Sequence, residues 1–198
     1  TGKSIAHGGS EGREEATGRG GIIVLKSLRE LEDQLEQPLT IAVQGYGNVG
    51  VFFAEIAESE LPQWRLVAAT DSSGGIHNPE GLSAQALNDY KKSGKKLAAY
   101  TNGRTITNSD IIGLDVDVLV LAALGDAVDT TNYESIKAKY ILELANGPVS
   151  SAVEDAINKK GVIIVPDILA NAGGVVVSYL EWLQNLSGEH WTVEEVRS

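Results

Sequence analysis

The sequence predicts an α/β fold, a doubly wound and mainly parallel sheet with helices on both faces. Three observations carry this reading. An apolar run, Thr40-Ile41-Ala42-Val43-Gln44, ends directly in Gly45-Tyr46-Gly47-Asn48-Val49-Gly50, which passes into a helical pattern. A second strand-like run, Leu66-Val67-Ala68-Ala69-Thr70, ends at an acid, Asp71, placed 21 positions beyond Gly50. From Thr40 to Val165 strand-like and helix-like segments then alternate, as in successive βαβ units. Strand, Gly-x-Gly-x-x-Gly, helix, strand and acid in this order make the Rossmann-type fingerprint of a dinucleotide site.

Composition narrows the field. A chain of 198 residues suits one α/β domain with a real core. Sixteen Lys and Arg against 27 Asp and Glu give a net charge of −11, with no basic cluster interleaved with aromatics, which argues against a nucleic-acid partner. The absence of Cys excludes disulfides, thiolate metal sites and a cysteine nucleophile. No apolar run reaches the roughly 18 residues of a membrane helix and no signal peptide opens the chain, so no membrane partner and a cytoplasmic location are expected. The chain contains no Met and opens at Thr1, which fits a processed chain or a piece of a longer one.

The elements follow in order. Thr1 to Gly12 is rich in Gly and Ser and aperiodic, as in a loop or interdomain hinge. From Glu14 on, Ala16, Ile23, Val24, Leu28, Leu31 and Leu35 recur at helical spacing and predict a long amphipathic helix ending near Pro38. After the first strand, Gly45 permits the tight turn, Gly47 lets backbone approach a pyrophosphate, and Gly50 lets the next helix pack on the sheet. That helix, Val49 to Ala57, presents free N–H groups and a positive dipole end to the phosphates, with Asn48 and Val49 at its start. Phe52, Phe53, Ile56 and Ala57 form its apolar side.

Beyond Asp71, the segment from Ser72 to Leu82 reads as turn throughout, with His77 an exposed loop histidine and no second ligand for a metal. Ser83 caps a helix to about Ser93, and Lys91, Lys92, Lys95 and Lys96 suit its C-terminal dipole. Asn108 or Ser109 opens a short helix, and Val116 to Leu121 is a strand buried on both faces. It ends in Ala122-Ala123-Leu124, small enough at the alanines for an adenine ribose to approach. Tyr140 to Leu144 is the next strand, followed by Ala145-Asn146-Gly147-Pro148, with Pro148 in the first turn of a helix running to Lys159. Gly161 closes that helix and Val162 to Val165 is the last strand. The glycine turn, Asp71, Ala122-Ala123, Asn146 and Pro166-Asp167 all follow strands and are expected on one rim.

Asp71 suits the ribose 2′-OH, with Ser72 beside it, and a carboxylate there repels a 2′-phosphate. No cation adjoins Asp71 in the sequence, so NAD is the expected coenzyme. NADP is the alternative, should one of Lys91 to Lys96 fold over the site.

Two long segments resemble the glutamate dehydrogenase family. The first is Gly8-Gly9-Ser10-Glu11-Gly12-Arg13-Glu14-Glu15-Ala16-Thr17-Gly18, similar to the family's hinge and the start of its following helix. The second runs from Pro166 to Asn185 and contains Ala170-Asn171-Ala172-Gly173-Gly174 and Ser178-Tyr179-Leu180-Glu181-Trp182. The resemblance covers nearly the whole chain. It implies that Arg13 and Thr17 face the nicotinamide end of the coenzyme and that Asn171 lies near the nicotinamide ribose. Ser178 would bind the substrate's side-chain carboxylate, with Val175 lining the same pocket one helical turn earlier. The bland alternatives are a solvated Arg13, and a Ser178 hydroxyl bonded back to its own helix.

The chain departs from the family at Leu121, Leu180 and Gly125-Asp126. Nothing in it corresponds to the substrate domain that carries the family's catalytic Lys and Asp, so no catalytic residue is assigned here. The implied organisation is a hinge and helix start at 1–20, a dinucleotide-binding domain at 21–185, and the start of C-terminal return helices at 186–198. Thr192-Val193-Glu194-Glu195 reads as a capping box at the head of such a helix. The implied function is the coenzyme-binding domain of an enzyme that oxidises L-glutamate to 2-oxoglutarate and ammonia with NAD(P)+, the chain alone being catalytically incomplete. The resemblance further implies a homohexameric full-length enzyme and an isolated domain that is a monomer or weak dimer. The alternatives are the coenzyme domain of a leucine or phenylalanine dehydrogenase, and a non-catalytic NAD-binding regulatory module.

Overall fold

In the computed structural model, which describes residues 1–123 and 125–197, seven strands form one sheet in the order β4-β3-β2-β1-β5-β6-β7. Leu124, the last residue of the small-residue run expected at a strand end, lies outside the described residues. Strands β1 (Leu39–Gln44), β2 (Trp64–Asp71), β5 (Val118–Leu121), β6 (Tyr140–Glu143) and β7 (Ile163–Val165) are mutually parallel. β1 at the centre is flanked by β2 and β5, so the chain order reverses there. That reversal is the switch point where doubly wound sheets open a crevice at the strand C-termini.

Both faces are covered, which is why the central strands read as nearly continuous apolar runs. On one face Ile41, Val43, Val118, Val120 and Leu142 pack with Leu25 of α1 (Ala16–Leu31) and Phe53 of α2 (Asn48–Glu60). On the other, Ala42, Leu119, Leu121 and Ile141 pack with Val153 and Ile157 of α4 (Ser151–Lys159). The remaining helices are α3 (Ala84–Lys92), α5 (Asp167–Ala170), α6 (Ala172–Ser187) and α7 (Val193–Arg197). No helix among the described residues is long and apolar enough to cross a membrane.

Four expectations are corrected. The stretch after Asp71 is not turn throughout: Gly74–His77 is β3, antiparallel to β2, and it pairs in turn with β4 (Arg104–Ile106). Its glycines mislead by type, yet Gly75 sits flat on the sheet, where a Cβ would meet the Ala69 carbonyl oxygen at 2.1 Å. His77 is consequently a half-buried strand residue, and burial together with the Arg104 charge pushes its pKa below the ordinary value. Pro148 precedes α4 instead of opening it; the Ser150 N-cap follows, and the Pro148 carbonyl accepts from Val128 N at 2.9 Å.

The largest correction concerns α1. The helix stops at Leu31, with Asp33 in the left-handed region at φ +55, far short of Pro38. Its buried face is Ala16, Gly18, Gly21, Ile22, Leu25 and Arg29, whereas Ile23 and Leu31 are 54% and 85% exposed. Glycine decides this face. A Cβ on Gly18 would lie 2.7 Å from Phe53 N, and one on Gly20 3.2 Å from Gly173 Cα, so α1 meets α2 and α6 backbone to backbone. At α7 the capping box forms as read: Thr192 Oγ1 accepts from Glu195 N at 3.3 Å, and Glu195 Oε2 accepts from Thr192 N at 2.8 Å.

Candidate functional site

The site is built along the C-terminal rim of the parallel strands. From Asp71 at the end of β2, past the glycine turn after β1 and Ala122-Ala123 after β5, to Asn146 after β6, the rim crosses three strand spacings. At about 4.8 Å each these give roughly 14 Å.

At the centre, Gly45 leaves β1 with φ +92, and the N–H groups of Gly45 and Tyr46 both donate to Thr70 O, at 2.9 and 2.7 Å. A Cβ on Gly45 would lie 2.5 Å from Ala123 N, so the turn admits only glycine on two counts. Tyr46 is fully buried and its hydroxyl donates to Ala84 O at 2.9 Å, which pins the turn to α3. Gly50 lies against the turn itself, its Cβ direction ending 2.3 Å from Gly45 O. Gly47 differs: nothing lies within 4 Å of where its Cβ would be. It faces open space directly before α2, whose N-terminus has no side-chain cap. Among these glycines, two are demanded by packing and one is not. The backbone N–H groups of Asn48, Val49 and Gly50 stand at that uncapped end, where a phosphate would satisfy them. Asn48 turns its side chain to Glu14 O at 3.0 Å, which ties the turn to the segment ahead of α1.

At the β2 end of the rim, Asp71 Oδ1 accepts from Ser73 N at 2.8 Å and from Ser73 Oγ at 2.7 Å, while Ser72 is exposed. No cation adjoins Asp71 in the sequence, but one of the lysines kept as the alternative does fold over it: Lys91 Nζ lies 2.8 Å from Asp71 Oδ2. Lys91 also donates to Tyr46 O, so the end of α3 bends over the glycine turn. Burial pushes the Asp71 carboxyl up, but hydrogen bonds from Lys91 and Ser73 outweigh it and hold the pKa below the ordinary carboxylate value.

On the far side, Asn171 Nδ2 donates to Asn146 Oδ1 at 2.9 Å, which brings these two together. Glu143, unforeseen in the sequence, sets the loops that carry them. Its buried carboxylate accepts from Val149 N at 3.3 Å and Asp167 N at 2.9 Å, and burial raises its pKa above the ordinary value despite those bonds. Arg13 meets Ser178: Nη2 donates to Oγ at 3.1 Å, and the Ser178 hydroxyl donates on to Gly174 O at 2.8 Å. The back-bond weighed against a ligand role is therefore present, and Arg13 stands beside it. Thr17 abuts the start of α6, with Gly174 leaving no room for a Cβ at 2.6 Å from Thr17 Oγ1. Val175 is 71% exposed. Ala122 is half-buried and Ala123 exposed at the strand end.

The expected residues thus fall in separate places, at Asp71, at the glycine turn, at the Asn146–Asn171 pair and at the Arg13–Ser178 pair. Glu143 was not singled out in the sequence, and Lys91 was named there only as one of a run, Lys91 to Lys96, that could fold over Asp71. The lysine run was visible, but its contact with Asp71 spans 20 positions and no local pattern announces it.

The family model for Glutamate/Leucine/Phenylalanine/Valine dehydrogenase matches residues 8–198. The glutamate dehydrogenase of Thermotoga maritima is 46% identical over 198 residues, covering 100% of this chain and 47% of that protein. An NADP-specific glutamate dehydrogenase from Synechocystis is 41% identical over 205 residues, covering 99% and 47%. Among solved structures, the hetero-hexameric glutamate dehydrogenase of Thermus thermophilus in its leucine-bound form superimposes with a TM-score of 0.88 at 36% identity, covering 100% of this chain and 46% of that one. The chain spans about half the length of the curated relatives it matches.

Proposed function

Because the chain belongs to the Glutamate/Leucine/Phenylalanine/Valine dehydrogenase family, we propose that it is the coenzyme-binding part of a glutamate dehydrogenase. The observation that carries this reading is the turn at Gly47, the one fingerprint glycine whose missing Cβ is not required by any protein neighbour. The open space there faces an uncapped helix end, and this arrangement fits a dinucleotide's pyrophosphate. Bound there, a nicotinamide coenzyme supplies the hydride acceptor, and the protein supplies orientation and electrostatics.

In this reading Gly45 shapes the turn and the backbone at Asn48, Val49 and Gly50 holds the phosphates. Asp71 with Ser72 receives the adenosine ribose beside Ala122 and Ala123. Arg13, Thr17, Asn146 and Asn171 receive the nicotinamide end. Ser178 and Val175 contact the substrate, L-glutamate or 2-oxoglutarate. Proton transfer and polarisation of the substrate are assigned to a further domain with a Lys and an Asp, so that the whole protein oxidises glutamate and this chain alone does not. The full-length protein is proposed to be a homohexamer, and the isolated chain a monomer or weak dimer.

The family includes enzymes for apolar amino acids, and the Arg13–Ser178 contact argues against them. A cation beside a hydroxyl suits an anionic side chain better than the apolar side chain of leucine or phenylalanine. The full-length protein should therefore oxidise glutamate at least about a hundredfold more efficiently than leucine, with Ser178→Ala raising KM for glutamate on the order of tenfold. Steady-state kinetics on both amino acids check this. A preference for leucine, or glutamate turnover by the 198-residue chain alone, would overturn it.

A further inference from the structure

Glu181 lies on α6 with its side chain fully excluded from solvent. A buried carboxylate is costly unless it is paired and hydrogen-bonded, so its partners show what its burial achieves. Oε2 accepts from Gly2 N at 3.0 Å, Oε1 from Lys3 N at 3.3 Å, and Oε2 lies 3.5 Å from Arg13 Nε. The buried Arg13 Nε has no hydrogen-bond acceptor of its own, which makes this carboxylate its nearest compensating charge.

Ser178 and Glu181 are three positions apart on one helix and share a face. The guanidinium is consequently held at two points, Nε toward Glu181 and Nη2 on Ser178. The same side of α6 binds the rest of the opening segment: Gln184 Nε2 donates to Ser10 Oγ at 3.0 Å and Asn185 Nδ2 to Gly8 O at 2.7 Å. Among the described residues of α6, Ser178 carries the hydrogen bond and Glu181 the ion pair to Arg13.

We propose that Glu181 is a positioning residue, which fixes the Arg13 fork at Ser178 and thereby sets how the nicotinamide end of the coenzyme is received. This rests on the assignment of Arg13 to that end of the site. Arg is suited to the task because its planar fork can be gripped at one nitrogen while another is presented elsewhere, which the lysine ammonium cannot do.

The test titrates NADH and ADP-ribose, which lacks the nicotinamide, into the wild-type chain and into Glu181→Gln, Arg13→Ala, Arg13→Lys and Gln184→Ala. Glu181→Gln keeps the shape and removes a negative charge, which by Coulomb's law alone would favour an anionic dinucleotide. A loss of affinity therefore has the sign of mispositioning. NADH is expected to bind on the order of fivefold more weakly to Glu181→Gln and to both Arg13 variants, with ADP-ribose unchanged. Gln184→Ala releases the same segment at Ser10 without touching Arg13, and should bind both ligands as wild type does. Arg13→Lys keeps Glu181 in place, so the idea remains exposed even where Glu181→Gln does not fold. Wild-type NADH affinity in Glu181→Gln or in Arg13→Lys overturns the positioning role, and an equal loss in Gln184→Ala assigns the effect to the segment instead. If wild type binds neither ligand, the coenzyme reading itself fails.

Discussion

Gly47→Ala is expected to fold as wild type does and to bind dinucleotide more than tenfold more weakly, while Gly50→Ala, three residues on, is expected to fail by instability. The Gly47 backbone is extended at φ −92 and ψ −156, a conformation open to alanine, and the added methyl meets no protein atom within 4 Å. It fills the open space before α2 that is proposed to receive the pyrophosphate. Losing that close approach, with its charge-assisted hydrogen bonds, costs about 1.5–3 kcal/mol, which is roughly one to two decades in affinity. At Gly50 the same methyl would stand 2.3 Å from Gly45 O and 2.9 Å from Val43 Cγ1, in packed surroundings that can shift only by moving β1 or α2. Overpacking of this kind costs about 3 kcal/mol, a large part of the ~5–15 kcal/mol that holds a domain folded. Thermal melts should show Tm within about 2 °C of wild type for Gly47→Ala and lower by roughly 6–12 °C for Gly50→Ala. Equal destabilisation by both would mean that Gly47 is a structural glycine.

The second large effect concerns coenzyme choice. Asp71 alone would select NAD, since a carboxylate accepts from a ribose 2′-OH and repels a 2′-phosphate. Lys91, 2.8 Å from the same carboxylate, offsets that repulsion and offers a partner for a phosphate. Wild type is therefore expected to favour NAD by only a few-fold. Removing the cation with Lys91→Ala should widen the preference for NAD by about tenfold or more, and Asp71→Ala should reverse it toward NADP, each change corresponding to about 1–3 kcal/mol of a partly desolvated charge contact. Because the Asp71 carboxyl is held below its ordinary value by Lys91 and Ser73, its charge persists in mildly acid solution. The preference should thus fade only as the pH falls below the ordinary carboxylate range. Titration of both coenzymes into the three proteins checks this. An unchanged ratio in both variants would mean that neither residue reads the ribose.

The parallel core and the glycine turn were legible because their signals are local: β-branched runs, a glycine where φ is positive, an acid at a strand end. β3 escaped because two of its four residues are glycines, Gly74 at φ +101 and Gly75 flat on the sheet. The face of α1 escaped for a related reason. Hydrophobic periodicity marks where large side chains gather, whereas α1 packs through Gly18 and Gly20, where backbones meet, and through Gly21, against the Leu144 side chain. At the site, the residues on strand ends could be placed in advance because topology fixes strand ends. The contacts Lys91–Asp71 and Glu181–Arg13 could not, since each joins distant stretches of chain through side chains whose direction only the fold sets.

Whether the strand-end rim is a dinucleotide site can be read by titrating NADH into the purified chain and displacing it with ADP-ribose. Saturable binding at one site and competition by ADP-ribose are expected, with both ligands weakened more than tenfold in Gly47→Ala at unchanged Tm. Absence of binding in a folded chain, or NADH binding that ADP-ribose does not displace and Gly47→Ala does not weaken, would contradict the dinucleotide site.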